Sequence, residues 1–338
     1  MAIALNTTLD RLLDGQSLAE QQAYELLVAL TEPELAPAMG GALLAALRAK
    51  GVTADELRGF ASAMRARARR PAIPAGVAAV DIVGTGGDKS GSFNISTGAA
   101  LLSAAAGLKV VKHGNRSVSS RAGSADVLEA LGLKLPLDEQ RAADCLAATG
   151  FTFLFAPYYH PSMKNVAPVR TAMGVRTVFN ILGPLSNPAE PAFHVIGAFN
   201  LATAELMAQA LQGMQLQRAF VIHGAEGWDE PTPLGPFEIF DVRPGGLRRE
   251  KRRPEDYGLR RCHSVELAGG DAQYNAAGLA RVLRGEDRGA HRDALLLNAA
   301  LALEVSGTET QPRAALARAA AAIDSGAAAQ LLARLVHT

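Results

Sequence analysis

Aromatic residues are scarce in this chain of 338 residues: Phe, Trp and Tyr make up 5% of it, with a single Trp. The 33 glycines and long alanine-rich stretches mean that small side chains form much of any core. Cysteine is scarcer still. Cys145 and Cys262 stand far apart and form no Cys-x-x-Cys pair, which supports neither a zinc site nor a disulfide framework. No charge sign dominates either. The 34 Lys and Arg against 33 Asp and Glu leave a formal net charge of +1, without the basic excess of a general nucleic-acid binder. No apolar run reaches the roughly 18 residues that a membrane span needs; the longest, 98–108, stops at Lys109. Residues 1–15 carry Asp10 and Arg11 where a signal peptide needs its apolar stretch. These absences predict a soluble, cytoplasmic protein. The length predicts one large domain with an appendage, or two domains.

The first seventy residues read as helices without strands. Ser17 caps a helix over 18–28. Thr31-Glu32-Pro33-Glu34 offers a cap, an early proline and two acids to a helix over 35–50, where acids complement the positive helix end. Gly51 ends it, and Thr53-Ala54-Asp55-Glu56 is a capping box for a helix over 56–68, closed by Pro71 and Pro74. The character then changes. A β-branched stretch at 77–83, bounded by glycines, reads as a buried strand. A helix at 97–106, a strand at 108–112, a helix at 124–131 and a strand at 151–156 follow in alternation. This pattern predicts an α/β fold with parallel β-α units and a sheet covered on both faces. A polar, proline-bounded stretch at 163–187 interrupts it. Strands at 194–198 and 219–223 flank a helix at 202–214, with another strand at 238–241. Alanine-rich helices at 293–305 and 311–336 close the chain. The basic clusters 65–70 and 248–253 read as solvated faces, with a polyanion contact as the alternative.

The sharpest chemical feature is Gly84-Thr85-Gly86-Gly87-Asp88, directly after a strand. Glycines there let the backbone turn its N–H groups inward to make an anion-binding nest, although tight strand-to-helix turns also need them. Soon after, Asn94-Ile95-Ser96-Thr97 opens a helix whose unpaired N–H groups, positive dipole end and two hydroxyls suit a phosphate. The loop is not a Walker loop, because Asp88 precedes Lys89-Ser90, and not a dinucleotide fingerprint, because Lys89 stands where the third glycine belongs. A Gly-x-Ser-x-Gly elbow is absent. The second feature is Lys112-His113-Gly114-Asn115-Arg116-Ser117-Val118-Ser119-Ser120, followed by Ala122-Gly123-Ser124-Ala125-Asp126. It also follows a strand, and adjacent strand ends of a parallel sheet converge on one rim, so two such loops suit a ligand with more than one phosphate. The plainer reading is a polar helix cap with an exposed histidine. Third, Asp229-Glu230 suits a hard cation such as Mg²⁺, though alone such a pair is usually surface charge.

Taken together, these motifs resemble the signature of the anthranilate phosphoribosyltransferase family. So do His160-Pro161-Ser162-Met163-Lys164, Val169-Arg170, Gly174-Val175-Arg176-Thr177, the run from Phe179 to Leu185, Pro254-Glu255-Asp256-Tyr257-Gly258, Gly269-Gly270-Asp271 and Asn275-Ala276; the likeness covers nearly the whole chain. The resemblance implies Mg²⁺-dependent transfer of phosphoribose from phosphoribosyl pyrophosphate to the amine of anthranilate, with release of pyrophosphate, in tryptophan biosynthesis. It implies a small all-helical domain (1–76 with 161–191) and a larger α/β domain with a mostly parallel central sheet (77–160 with 192–338). It also implies a homodimer formed through the helical part. Carried over by position, Gly84, Gly87, Asp88, Asn94, Ser96, Thr97, Lys112 and Ser124 contact phosphoribosyl pyrophosphate. His113, Asn115 and Arg170 face anthranilate, with Pro184 as an apolar wall. Asp229 and Glu230 bind Mg²⁺, and Ser96 shares a second ion. Trp228 departs from the smaller aliphatic residue usual before Asp-Glu and Pro231 follows directly, which implies a stiffer or differently shaped metal loop.

No activated nucleophile is evident, and the implied reaction needs none. Cleavage at ribose C1 develops positive charge on the sugar and negative charge on the leaving group, which Mg²⁺, Lys112 and backbone N–H groups stabilise. Arg170 suits a carboxylate, which its guanidinium fork matches in bidentate fashion, and His113 reads as an oriented hydrogen-bond donor. Two rivals stand beside this reading. A pyrimidine nucleoside phosphorylase of related fold carries a similar Lys-His-Gly loop, and a non-catalytic paralogue would bind nucleic acid through the basic clusters.

Overall fold

The computed structural model describes residues 3–117 and 121–337; Val118, Ser119 and Ser120 of the second loop lie outside the described residues. Four helices come first: α1 (Leu5–Leu13), α2 (Glu20–Leu30), α3 (Pro37–Lys50) and α4 (Ala54–Ala66). The capping box reads as expected, with the Glu56 N–H donating to Thr53 Oγ1 (3.3 Å) and the Thr53 N–H to Glu56 Oε2 (2.8 Å). Thr31 plays a different part from the one the sequence suggests. It ends α2, where its hydroxyl donates to the Leu27 carbonyl at 2.9 Å, and Pro37 rather than Pro33 occupies the first turn of α3. Pro37 serves equally well because its missing N–H falls where no intrahelical partner exists. Gly59 lets α4 press onto α2; a Cβ there would overlap the Glu20 carbonyl oxygen.

The chain then runs through β1 (Ala79–Gly84), α5 (Ile95–Ala105), β2 (Lys109–Gly114), α6 (Ser124–Ala130), α7 (Glu139–Thr149), β3 (Phe151–Phe155) and α8 (Ala156–Tyr159). The stretch expected to interrupt the alternation folds as α9 (Met163–Met173), α10 (Phe179–Leu182) and a 3-10 turn (Gly183–Leu185). It returns to the first helices: Asn165 Nδ2 donates to the Thr31 carbonyl (2.8 Å), and Val169 and Phe179 share a core with Leu43, Leu47 and Phe60. Next come β4 (Phe193–Gly197), α11 (Leu201–Gln212), β5 (Arg218–His223), β6 (Phe237–Arg243) and β7 (Gly246–Arg252). The tail forms α12 (Ala272–Leu283), α13 (Ala290–Val305), α14 (Pro312–Asp324) and α15 (Ala327–Leu335).

One seven-stranded sheet has the order β3-β2-β1-β4-β5-β6-β7, parallel from β3 through β5 and antiparallel at its last two pairings. The chain builds outward from β1 through β2 to β3, then crosses back to place β4 on the other side of β1. α5 packs on one face of the sheet within the larger core, while α11 packs on the opposite face with the first four helices. The crevice this reversal leaves at the carboxyl ends of β1 and β4 is where open α/β sheets bind ligands.

The basic cluster at 248–253 is the solvated face expected, with Arg248, Arg249, Lys251 and Arg253 exposed. What the sequence does not show is that most of it forms an edge strand, β7, where Arg248 pairs with Glu250 (2.6 Å), Arg249 with Glu238 (3.1 Å) and Arg252 with Glu304 (2.8 Å). In the cluster at 65–70, Arg65 is buried and donates to the Leu185 carbonyl, while Arg67 pairs with Glu32. Among the described residues no helix is long and apolar enough to cross a membrane.

Candidate active site

At the crevice β1 and β4 end in glycine and β5 is followed by one, and each of these glycines makes room for the same segment. A Cβ on Gly84 would overlap the Asp229 carboxylate, one on Gly197 the Asp229 carbonyl oxygen, and one on Gly224, just past β5, the Glu230 carbonyl oxygen. Trp228-Asp229-Glu230-Pro231 therefore lies across the ends of β1, β4 and β5. Trp228 is buried in the main core, and the Pro231 carbonyl accepts from Asn298 Nδ2 of α13 at 2.8 Å, so both unusual residues anchor this segment. After β1 the chain passes through positive φ at Gly86 (67°) and Gly87 (78°). The Gly86 N–H is taken by Asp229 Oδ2 (2.5 Å), whereas those of Gly87 and Asp88 have no acceptor among the described residues. That is the concave backbone surface an anion needs.

Two carboxylates face this nest. Glu230 Oε1 accepts the Ser96 N–H in the first turn of α5 (2.9 Å), and the Asp229 N–H donates to Asp88 Oδ2 (3.3 Å). Burial pushes both carboxyls well above the usual carboxylate range, and the negative neighbours Asp88 and Asp229 add to it. The one ammonium among them, Lys112, donates to the Ile82 carbonyl and to Ser96 Oγ (3.4 Å). Burial lowers its pKa against the pull of Asp81, Glu230 and Asp229. The cluster is short of positive charge and presents only hard oxygen donors, so Asp229 and Glu230 fit Mg²⁺. No group of three His, Cys, Asp or Glu with metal-ligand geometry exists among the described residues, which leaves the other positions of such an ion to substrate or water oxygens.

β2 reaches both faces of the crevice because successive side chains alternate. Lys112 points to α5, and His113 to the 3-10 turn that follows α10. The His113 ring lies edge-on to His160 with centroids 5.0 Å apart. Burial, helped by His160, pushes His113 down to about 3, so the ring is neutral near pH 7. Its Nδ1 stands 3.2 Å from the Gly183 carbonyl, an acceptor only, which assigns the proton to Nδ1. Buried Nε2, without a partner among the described residues, is left as an acceptor. This tautomer differs from the hydrogen-bond donor that the sequence reading foresees at His113.

β1 and β2 pair only at Ala79 with Lys109 and Val80 with Val110. Beyond that point side chains replace the ladder. Asp81 Oδ1 accepts the His113 N–H (3.3 Å), and Asn187 Nδ2 donates to both Asp81 Oδ2 and the Val111 carbonyl, each at 2.9 Å. Asp81 and Asn187 are fully buried. This wedge parts the strands and sets the width between Lys112 and the end of β1. Sequence reading missed both residues. Asp81 carried a usable signal, a charge inside an otherwise apolar strand, whereas Asn187 carried none.

The remaining anticipated residues are spread more widely. Asn94 donates to the Ala122 carbonyl (3.2 Å) and accepts from Asn275 Nδ2 (2.7 Å), tying α5 to the second loop and α12. Thr97 is fully buried, with no partner for its hydroxyl among the described residues. Ser124 opens α6 against Gly114 at the end of β2. Asn115 is exposed, and its side chain accepts the Arg116 N–H (2.7 Å). Arg116 pairs with Asp126 and Glu129. Arg170 is half-buried over the Phe179 ring (4.9 Å), and Pro184 is buried in the 3-10 turn.

Comparisons with known proteins agree with this architecture. Residues 76–329 match the glycosyl transferase family a/b domain, and residues 6–68 its helical bundle domain. An anthranilate phosphoribosyltransferase of Desulforudis audaxviator (strain MP104C) is 46% identical over 333 residues, covering 98% of this chain and 96% of the relative. The crystal structure of an anthranilate phosphoribosyltransferase from Thermus thermophilus superposes with a TM-score of 0.92 at 42% identity, covering 98% of both chains. The enzyme from Saccharomyces cerevisiae, solved in complex with phosphoribosyl pyrophosphate and Mg, gives a TM-score of 0.89 at 26% identity over 98% of this chain and 97% of that one. The chain belongs to the anthranilate phosphoribosyltransferase family.

Proposed function

We propose that this chain transfers phosphoribose from phosphoribosyl pyrophosphate to the amine of anthranilate through the residues gathered at the β1–β4 crevice. The observation that carries this reading is the joining of a free backbone nest at Gly87 and Asp88, two buried carboxylates and Lys112 at one strand rim. The nest, the start of α5 at Ser96 and Lys112 hold the phosphates of the donor. Asp229 and Glu230 hold Mg²⁺, which when bound offsets the charge of the pyrophosphate leaving group. Lys112 and the nest N–H groups add fixed donors where negative charge develops, and such preorganised groups cost no reorganisation during the reaction.

The acceptor lies on the opposite side of β2. Arg170 orients the anthranilate carboxylate, Pro184 and Phe179 supply the apolar wall, and Asn115 closes the edge. His113 Nε2 accepts an N–H of the amine and turns the nitrogen lone pair toward ribose C1. With its pKa held near 3, His113 positions the amine and does not remove its proton. Alignment of this kind is worth up to about 7–11 kcal/mol in the ideal limit. We divide the molecule into a helical domain of 1–76 with 161–191 and an α/β domain of 77–160 with 192–338, acting as a cytoplasmic homodimer that meets its partner through the helical part.

Neither rival is favoured. The matched relatives are transferases, and most charges of the basic clusters have a carboxylate or carbonyl partner. Mixing the protein with Mg²⁺, phosphoribosyl pyrophosphate and anthranilate is expected to quench anthranilate fluorescence, with no phosphorolysis of thymidine or uridine. Steady fluorescence together with nucleoside cleavage would reverse the assignment.

A further inference from the structure

Arg176 lies between α9 and α10, in a segment packed with the first four helices, yet its side chain reaches the opposite wall of the crevice. Its Nη2 donates to the Gly87 carbonyl, and its guanidinium carbon stands 4.3 Å from the centroid of Phe199, just past β4. Its own carbonyl accepts from Arg48 Nη1 of α3 at 2.8 Å, which braces the backbone from behind. The side chain is thus held by two contacts and its backbone by a third. Its charge, in contrast, is not answered. Arg176 is exposed and forms no ion pair with a carboxylate among the described residues, whereas Arg116 on the neighbouring loop is neutralised by Asp126 and Glu129. Of the five N–H groups a guanidinium carries, the Gly87 carbonyl takes one, and the others have no acceptor among the described residues.

The position of this cation matters because the nest directly beside it also has free donors, the N–H groups of Gly87 and Asp88. A preorganised planar fork at the rim of a backbone nest is the arrangement that recognises phosphate oxygens in pairs. We propose that Arg176 is a substrate-binding residue that takes the pyrophosphate end of phosphoribosyl pyrophosphate from the helical side of the crevice. The inference rests on the donor-site reading above. A guanidinium serving only to tie the two walls together would need no more than its bond to Gly87.

Replacement by glutamine tests the charge, since R176Q keeps a polar N–H donor of shorter reach and loses the cation. Calorimetric titration with inorganic pyrophosphate and Mg²⁺ is expected to show binding weakened at least about tenfold in both R176Q and R176A, the range for a lost charge-assisted contact. R176K should recover part of the affinity. In steady state the KM for phosphoribosyl pyrophosphate should rise by a similar factor, with the KM for anthranilate changing less than about twofold. Matching melting temperatures for R176Q and wild type exclude misfolding as the cause. Should R176Q bind pyrophosphate as the wild type does, the inference is overturned while the donor site stands. Should the wild type neither bind pyrophosphate nor turn over, the donor-site reading and this inference fall together.

Discussion

Asp81 shows how one side chain serves both the sheet and the crevice. Its two oxygens replace hydrogen bonds that β1 and β2 cannot make to each other, and its charge faces Lys112. Burial raises its pKa from 3.8 to about 6, so the folded state holds the proton more tightly than the unfolded chain. Its contribution to stability is therefore complete below about pH 4 and is lost as the pH climbs through 6. The gap in melting temperature between wild type and D81N is expected to narrow from pH 4 to pH 6 and to level off above that, in scanning calorimetry across the range. A gap of constant size between those limits would remove Asp81 as the titrating group. Residues whose type announces their chemistry were legible beforehand: the glycines of the first loop, Lys112, Asp229 and Glu230. Arg176 and Asn187 were not, because their roles come from where the inserted segment carries them, and neither residue type nor spacing encodes a contact across about ninety or more positions.

Among the elements, the parallel strands and the capped helices of the first seventy residues were readable because local periodicity and caps specify them. β7 was not. Its seven residues include five with charged side chains, and only pairing with β6 makes them a strand. The expected helix over 311–336 breaks in two at Gly326, where φ of 82° places the residue in the left-handed region. α7 escaped notice because its apolar positions are mostly alanine, which gives a weak signal. The strand ends offer a sharper test of element geometry. A Cβ on Gly197 would overlap the carbonyl oxygen of Asp229, a backbone atom that cannot swing aside. G197A is expected to lose at least about 1–3 kcal/mol of stability and most Mg²⁺-dependent turnover, measured by denaturant unfolding and the fluorescence assay. Full activity at unchanged stability would show that the 228–231 segment can lift off the strand ends.

On the scale of the molecule, the crevice draws on β1, β2, α5, the inserted segment and the turn after β5, so a ligand that grips it braces the whole fold. Phosphoribosyl pyrophosphate with Mg²⁺ at about one hundred times its dissociation constant should stabilise the protein by about 2.7 kcal/mol, a rise in melting temperature of roughly 3–4 °C for a chain of this size. Chelation of the metal with EDTA is expected to abolish most of that rise in a thermal shift assay. A shift that survives chelation intact would separate sugar binding from the carboxylate pair.

The glycine-lined strand ends carry a consequence for how such a molecule diversifies. The donor half proposed above leans in part on main chain packed against Gly84, Gly197 and Gly224, where any added side chain would collide. The acceptor half proposed above is walled by side chains of the inserted segment, Arg170, Phe179 and Pro184, each exchangeable alone. Under that assignment a new aromatic amine would be accommodated from the helical wall, with recognition of the activated sugar left as it is.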